Sequence, residues 1–275
     1  MRTVRALWGA SHPGPALVVT ALSLALGLAA GLEPWRVVVL VAAVLFGQLS
    51  IGISNDAIDR ERDRAVGRRD KPLVRDEVPN RTAWTAAIGS VIVALALSVP
   101  LGWGMLLAHV VTIGAGWAYN VGLKATAVSI VPFIVSFGLF PSLATLAAPE
   151  PELAAPFAAI AGAALGAAVH LTNVLPDLDD DRATGIRGLP HRLGASVSVL
   201  VAVAGVVVAA LAVVIGGGAG GVLPWLFFAA VLALAVAVVV RMRLRGPDRT
   251  GFRLVMAAAL LLAAQLVVTA GALAA

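Results

Sequence analysis

Asn55, Asp59 and Asp63 recur at i, i+4 and i+8, and Asp56 lies three residues before Asp59. On a helix that spacing puts all three on one face, with Asp56 flanking it. Carboxylates stacked one turn apart repel each other unless positive charge sits between them. The usual remedy is a divalent cation, and an all-oxygen donor set suits Mg2+ or Ca2+. The same spacing returns at Asn173, Asp177 and Asp181, with Asp179 and Asp180 alongside. Either set alone reads equally well as a solvated helix end. Both together, each closing an apolar segment, point to two facing acidic helix ends that hold metal ions and, through them, a phosphorylated ligand.

Basic residues fringe these acids. Arg68, Arg69, Lys71 and Lys124 can meet phosphate oxygens directly. Mg2+ held by few carboxylates keeps positions open for a substrate's phosphates. A site of this kind neutralises a diphosphate and makes it a good leaving group, a contribution worth several kcal/mol. Set above an apolar bundle, it suits a ligand with a polar head and a long hydrocarbon tail. Ionisation of an allylic diphosphate then leaves a carbocation for a nucleophilic acceptor.

The elements that must position these residues are apolar. Of 275 residues, 60% are hydrophobic and only 13% charged, against about a quarter charged in soluble domains. Long apolar runs read as transmembrane helices, each needing ~20 residues. Nine such segments are expected, at 16–32, 37–54, 82–99, 103–120, 128–147, 154–175, 195–215, 222–240 and 252–273. The chain is therefore expected to be one all-α integral membrane domain over 1–275. The sequence contains no cysteine, which excludes disulfides, thiolate metal sites and a cysteine nucleophile. Arg2, Arg5 and the apolar run after them resemble a secretory leader, yet a cleaved one is not expected ahead of eight further spans.

Every Lys and Arg except Arg36 falls in alternate connections between the nine segments. By the positive-inside rule the amino terminus and both acidic motifs face the cytoplasm and the carboxyl terminus lies outside. The net charge of +5 thus has a topological cause and does not imply nucleic acid. The expected location is the cell (inner) membrane, with the lipid bilayer as solvent.

The chain resembles the UbiA superfamily of intramembrane prenyltransferases, typified by 4-hydroxybenzoate polyprenyltransferase. The residues that carry the resemblance are Asn55-Asp56-x-x-Asp59-x-x-x-Asp63 with the loop ending Lys71-Pro72-Leu73, Tyr119 with Lys124, and Asp177-x-x-x-Asp181 leading to Gly185-Ile186 and Arg192-Leu193-Gly194. The resemblance implies nine transmembrane helices around a central cavity, with cytoplasmic cap loops over two Mg2+. It implies metal contacts from Asn55, Asp59, Asp177 and Asp181, joined by Asn173 and supported by Asp56 and Asp63. Asp59, Asp177, Lys124 and Tyr119 would be catalytic. Asn55, Arg68, Arg69, Lys71, Lys124, Asn173 and His170 would bind substrate. The implied reaction moves a prenyl group from its diphosphate to a small-molecule acceptor, aromatic by family analogy, and releases diphosphate. Asn173 stands where many members carry Asp, and Arg187-Gly188-Leu189-Pro190 where a Lys-Thr pair is frequent; these departures touch the acceptor more than the reaction.

Other chemistries fit the same residues. The scaffold could cyclise a bound prenyl diphosphate, or move a sugar phosphate such as phosphoribose onto a polyprenyl phosphate. A divalent-cation transporter fits less well, because His170 and His109 are the main ionisable residues deep in the spans. A CDP-alcohol phosphotransferase would need a glycine soon after its acidic pair, which 56–63 lacks. Among the remaining polar residues, His109 reads as structural, Gln48 and Gln265 as polar glue between helices, and Arg241–Arg253 as an anchor at anionic lipid.

Overall fold

A computed structural model describes residues 2–218, 220–246, 248–269 and Leu273. The chain is helical as expected. Its elements are α1 (Arg2–Ala10), α2 (Pro13–Ala29), α3 (Pro34–Ala65), α4 (Asn80–Ser98), α5 (Trp103–Val121), α6 (Val131–Thr145), α7 (Pro156–Val174), α8 (Leu178–Ala183), α9 (Leu189–Gly216), α10 (Leu223–Arg245) and α11 (Arg249–Thr269). Each apolar segment falls on one of them. Proline stands in the first turn of α2, α3, α6, α7, α9 and α10, where its missing N–H is no loss and its fixed φ suits the helix. Gly194, at φ 75°, interrupts α9 near its start, so the apolar helix proper begins at Ala195, where the sequence places it.

By length and composition, six of the described helices can cross a bilayer: α3, α4, α7, α9, α10 and α11, with α4 and α7 counted together with their short continuations. The pair α1 and α2, bent by 73°, makes a seventh if taken as one span. The expected nine are not reached on this measure. Helix α6 has 15 residues, short of the ~20 that ~30 Å of hydrocarbon requires. Helix α5 carries His109, Trp117, Tyr119 and Asn120 among its 19 residues, which dilutes its apolar character.

Packing follows from small residues. Helix α7 lies against α6, α9 and α11. A Cβ on Gly162 or Gly166 would run into the carbonyl oxygens of Phe137 and Phe133, so α6 and α7 meet backbone to backbone. Large apolar side chains such as Val38, Ile92, Leu107, Ile160 and Leu226 are exposed on the outside, as a lipid-facing surface should be. A separate small core gathers Leu73 and Val78 of the 66–79 loop under Ala6 and Ala10 of α1, Ile53 and Ala57 of α3, and Ala83 and Ala87 of α4. That core pins the loop over the end of α3, beside the first acidic motif.

Candidate functional site

Helix α3 runs unbroken for 32 residues and carries the first motif in its final turns. Asp56, Asp59 and Asp63 are buried there, and burial of unpaired carboxylates would be costly. Three basic residues and a histidine compensate. Lys71 Nζ lies between Asp56 (2.9 Å) and Asp63 (2.7 Å). His12 Nε2 lies 2.9 Å from Asp56, on the corner between α1 and α2, where its backbone takes the left-handed conformation. Arg62 donates to Asp59 at 2.7 Å, and Lys124 meets the other oxygen of Asp59. Burial pulls the Lys71 ammonium down, but Asp56 and Asp63 outweigh it and hold its pKa above the ordinary lysine value. For Lys124 burial prevails over Asp59, and its pKa falls below that value. Part of the charge that relieves the stacked acids thus comes from Lys71 and Lys124, which the sequence places on a diphosphate, and the rest from Arg62 and His12.

A short amide network registers α5 against this helix. Asn55 donates to Asn120 Oδ1 at 3.0 Å, and Asn120 donates to the Ile51 carbonyl at 2.8 Å and to Ser54 at 3.0 Å. Lys124 follows on a single 3-10 turn, Leu123–Ala125, which carries its ammonium to Asp59.

The second motif is not one continuous helix. Helix α7 ends at Val174, a 3-10 turn spans Leu175–Asp177, and α8 begins at Leu178. Pro176 sits inside the tight turn and supplies no N–H to continue the helix. Asn173, Asp177 and Asp181 nevertheless line the same cavity. Asp179 turns to Arg182 at 3.3 Å and is fully exposed. Arg68 joins the two motifs: its amide donates to the Asp63 carbonyl at 2.9 Å, and its guanidinium lies 3.1 Å from Asp70 in its own loop and 3.3 Å from Asp177. Its guanidinium is held charged chiefly by the bond to Asp70, with Asp177 adding to it.

Both motifs face one cavity of about 680 Å3. Of the residues expected in the site, Asn55, Asp56, Asp59, Asp63, Arg68, Lys71, Tyr119, Lys124, His170, Asn173, Asp177 and Asp181 all line it. Arg69 does not; it is exposed, and its carbonyl accepts from Arg75 at 2.6 Å. His170 is buried, with Nε2 3.0 Å from Ser129, whose oxygen also accepts from the Leu189 amide. Tyr119 stands edge-on to Phe133 and His170, with ring centroids 5.1 and 5.6 Å away. Below this cavity an inner chamber of about 230 Å3 shares Asn55, Tyr119 and Asn173 with it and is otherwise mostly apolar, running between α2, α3, α5 and α6.

Sequence reasoning missed several lining residues. His12 and His191 have no spacing signal: His12 stands on the corner between α1 and α2 and His191 in the first turn of α9, and packing sets the place of each. Arg62 was legible, three residues after Asp59 on the same face. Arg249 and Arg253, read as a lipid anchor, line the cavity, and Arg249 reaches Asp70 at 3.6 Å.

Among the described residues no three His, Asp or Glu side chains stand close enough, as placed, to hold a metal ion. The donor chemistry still fits Mg2+: carboxylates from Asp59, Asp177 and Asp181 with amide oxygens from Asn55 and Asn173 are all hard oxygen ligands. On Asp59 the metal would share the two oxygens with Lys124 and Arg62 or displace them.

The sequence pattern of the UbiA prenyltransferase family matches residues 16–261. Digeranylgeranylglyceryl phosphate synthase of Natronomonas pharaonis is 28% identical over 216 residues, 77% of each chain. The bacteriochlorophyll synthase 33 kDa chain of Cereibacter sphaeroides is 31% identical over 183 residues, 60% of this chain and 58% of that one. A solved structure of a UbiA homolog from Archaeoglobus fulgidus bound to GPP and Mg2+ superposes with a TM-score of 0.74, covering 96% of this chain and 98% of that one at 16% identity. A structure of digeranylgeranylglyceryl phosphate synthase in membranes gives 0.71, with 98% and 99% covered at 14% identity. At such identity these structures speak to the fold.

Proposed function

The chain belongs to the UbiA prenyltransferase family, and on that premise we propose that it is a Mg2+-dependent enzyme that transfers a prenyl group from a prenyl diphosphate to an aromatic acceptor. The observation that carries this reading is the single cavity onto which both acidic motifs open, with Arg68 bonded through its amide to Asp63 of the first and through its guanidinium to Asp177 of the second. The GPP and Mg2+ bound by the Archaeoglobus fulgidus homolog support it.

Asn55, Asp59, Asn173, Asp177 and Asp181 would hold Mg2+, which when bound polarises the diphosphate and stabilises its departure. Asp56 and Asp63 support that set by fixing Lys71 and the loop above it. Arg68, Lys71 and Lys124 bind the diphosphate oxygens, Lys124 leaving Asp59 as it does so. Tyr119 and His170 form the aromatic wall between head and tail, where a π face steadies positive charge developing on the allylic carbon. The hydrocarbon tail descends into the inner chamber, away from water. The remaining apolar helices, α5 and α6 included, complete nine crossings of a cell membrane. The motif side and the amino terminus face the cytoplasm, and the carboxyl terminus lies outside.

The test is incubation of purified protein with Mg2+, mixed prenyl diphosphates and candidate phenols or quinone precursors, read by mass spectrometry. Prenylated acceptor and free diphosphate are expected. Chelating the metal should stop both, and Asp59→Ala or Asp177→Ala should each lower turnover on the order of a thousandfold with expression intact. Hydrocarbon or alcohol released without acceptor would instead indicate cyclisation or hydrolysis, and full activity in either variant would overturn the assignment.

A further inference from the structure

The inner chamber is mostly apolar, and two of its polar side chains stand apart from the rest. Among the polar side chains below the rim it shares with the outer cavity, Ser11, Thr112, Asn120 and Ser136 each donate to a backbone carbonyl. Gln48 and His109 do not. Gln48 lines the chamber from α3, partly buried, with no hydrogen bond to any described residue. His109 lines it from α5, is 97% buried and uses one ring nitrogen: Nδ1 lies 2.8 Å from Ser98 Oγ. The Ser98 hydroxyl proton is already given to the Ala94 carbonyl at 2.8 Å, so its oxygen must accept from His109. In the neutral imidazole this assigns the proton to Nδ1 and leaves Nε2 an acceptor. Nε2 faces Gly47, where an added Cβ would stand only 2.9 Å away.

These two groups sit at depth. Gln48 precedes Asn55 by two helical turns and His109 precedes Tyr119 by nearly three, so they lie roughly 10–15 Å inward from the mouth. We propose that Gln48 and His109 form a polar stop that sets the length of prenyl chain this enzyme accepts. The inference rests on the reading above that the tail occupies the inner chamber. A short tail ends above the pair and leaves both groups free to hydrogen-bond a small polar molecule. A longer one lays hydrocarbon on a ring nitrogen and an amide that have no other partner among the described residues, and each orphaned group weakens binding about tenfold or more. The discrimination is built from a penalty against the wrong substrate, as specificity often is.

The experiment measures Mg2+-dependent binding of geranyl and geranylgeranyl diphosphate to the full-length purified protein, and the ratio of the two affinities. Wild type is expected to favour geranyl. Gln48→Leu and His109→Phe should each shift the ratio toward geranylgeranyl by roughly tenfold. Gln48→Leu breaks no hydrogen bond to a described residue, so it tests the idea even if His109→Phe fails to fold, which thermal unfolding would reveal. Binding with a ratio that Gln48→Leu leaves unmoved would overturn the polar stop while leaving the prenyltransferase reading in place. A wild type that binds neither diphosphate would overturn both.

Discussion

Lys71 does more than fringe the site. It neutralises two buried carboxylates one on each side of it, eight and fifteen residues back in the chain. Lys71→Met leaves Asp56 and Asp63 facing each other without their shared cation, and unfolding in detergent should fall by roughly 3–5 kcal/mol. Lys71→Arg should restore part of it. The pH dependence follows from the raised lysine pKa. Stability from a group raised in the folded state is fully present below its unfolded value, about 10.4, and is lost as pH rises through the folded value. The gap in melting temperature between wild type and Lys71→Met should therefore stay level from pH 7 to 9 and close only above about 10.4; a gap that closes near neutrality would remove Lys71 from this role. The acids themselves were legible from spacing alone. Their partners were not: His12 reaches Asp56 across 44 positions of sequence, a closeness that exists only once the α1–α2 corner packs on α3.

Among the elements, α6 and α7 show where composition could be read and where it could not. Small residues let transmembrane helices approach closely, and Gly166 does so, set against the Phe133 carbonyl. Gly166→Leu should lower stability by at least the roughly 1–3 kcal/mol typical of overpacking. Gly114→Ala, with open space around it, should leave the unfolding temperature within a degree or two, and equal losses in both would contradict this packing. The break after Val174 was less visible. The spacing of Asn173, Asp177 and Asp181 suits an ideal helix, yet Pro176 forces a tighter turn, and the three residues reach the cavity from two short pieces. Hydrophobicity located every long helix; for α5 and α6 the crossing does not follow from length and composition, because polar residues and a short run take their share.

At the scale of the whole molecule, the absence of cysteine makes the proposed orientation directly testable. Single substitutions Glu77→Cys and Thr184→Cys should label with a membrane-impermeant maleimide from the cytoplasmic side, and Glu150→Cys only from the opposite side. Labelling of the first two from different sides would separate the acidic motifs and end the single-site reading. The general organisation, helices apolar along their length with chemistry at one end, could be read from the order of residues. The closure of the ring of helices could not, since it depends on the last one. Helix α11 brings Phe252, Arg253 and Met256 to the same cavity as His12 and Pro15 at the other end of the chain. A polypeptide still emerging from the ribosome therefore has both acid clusters in place long before it has a pocket: until α11 enters the lipid, one flank of the chamber stays open, and catalysis must wait for that helix.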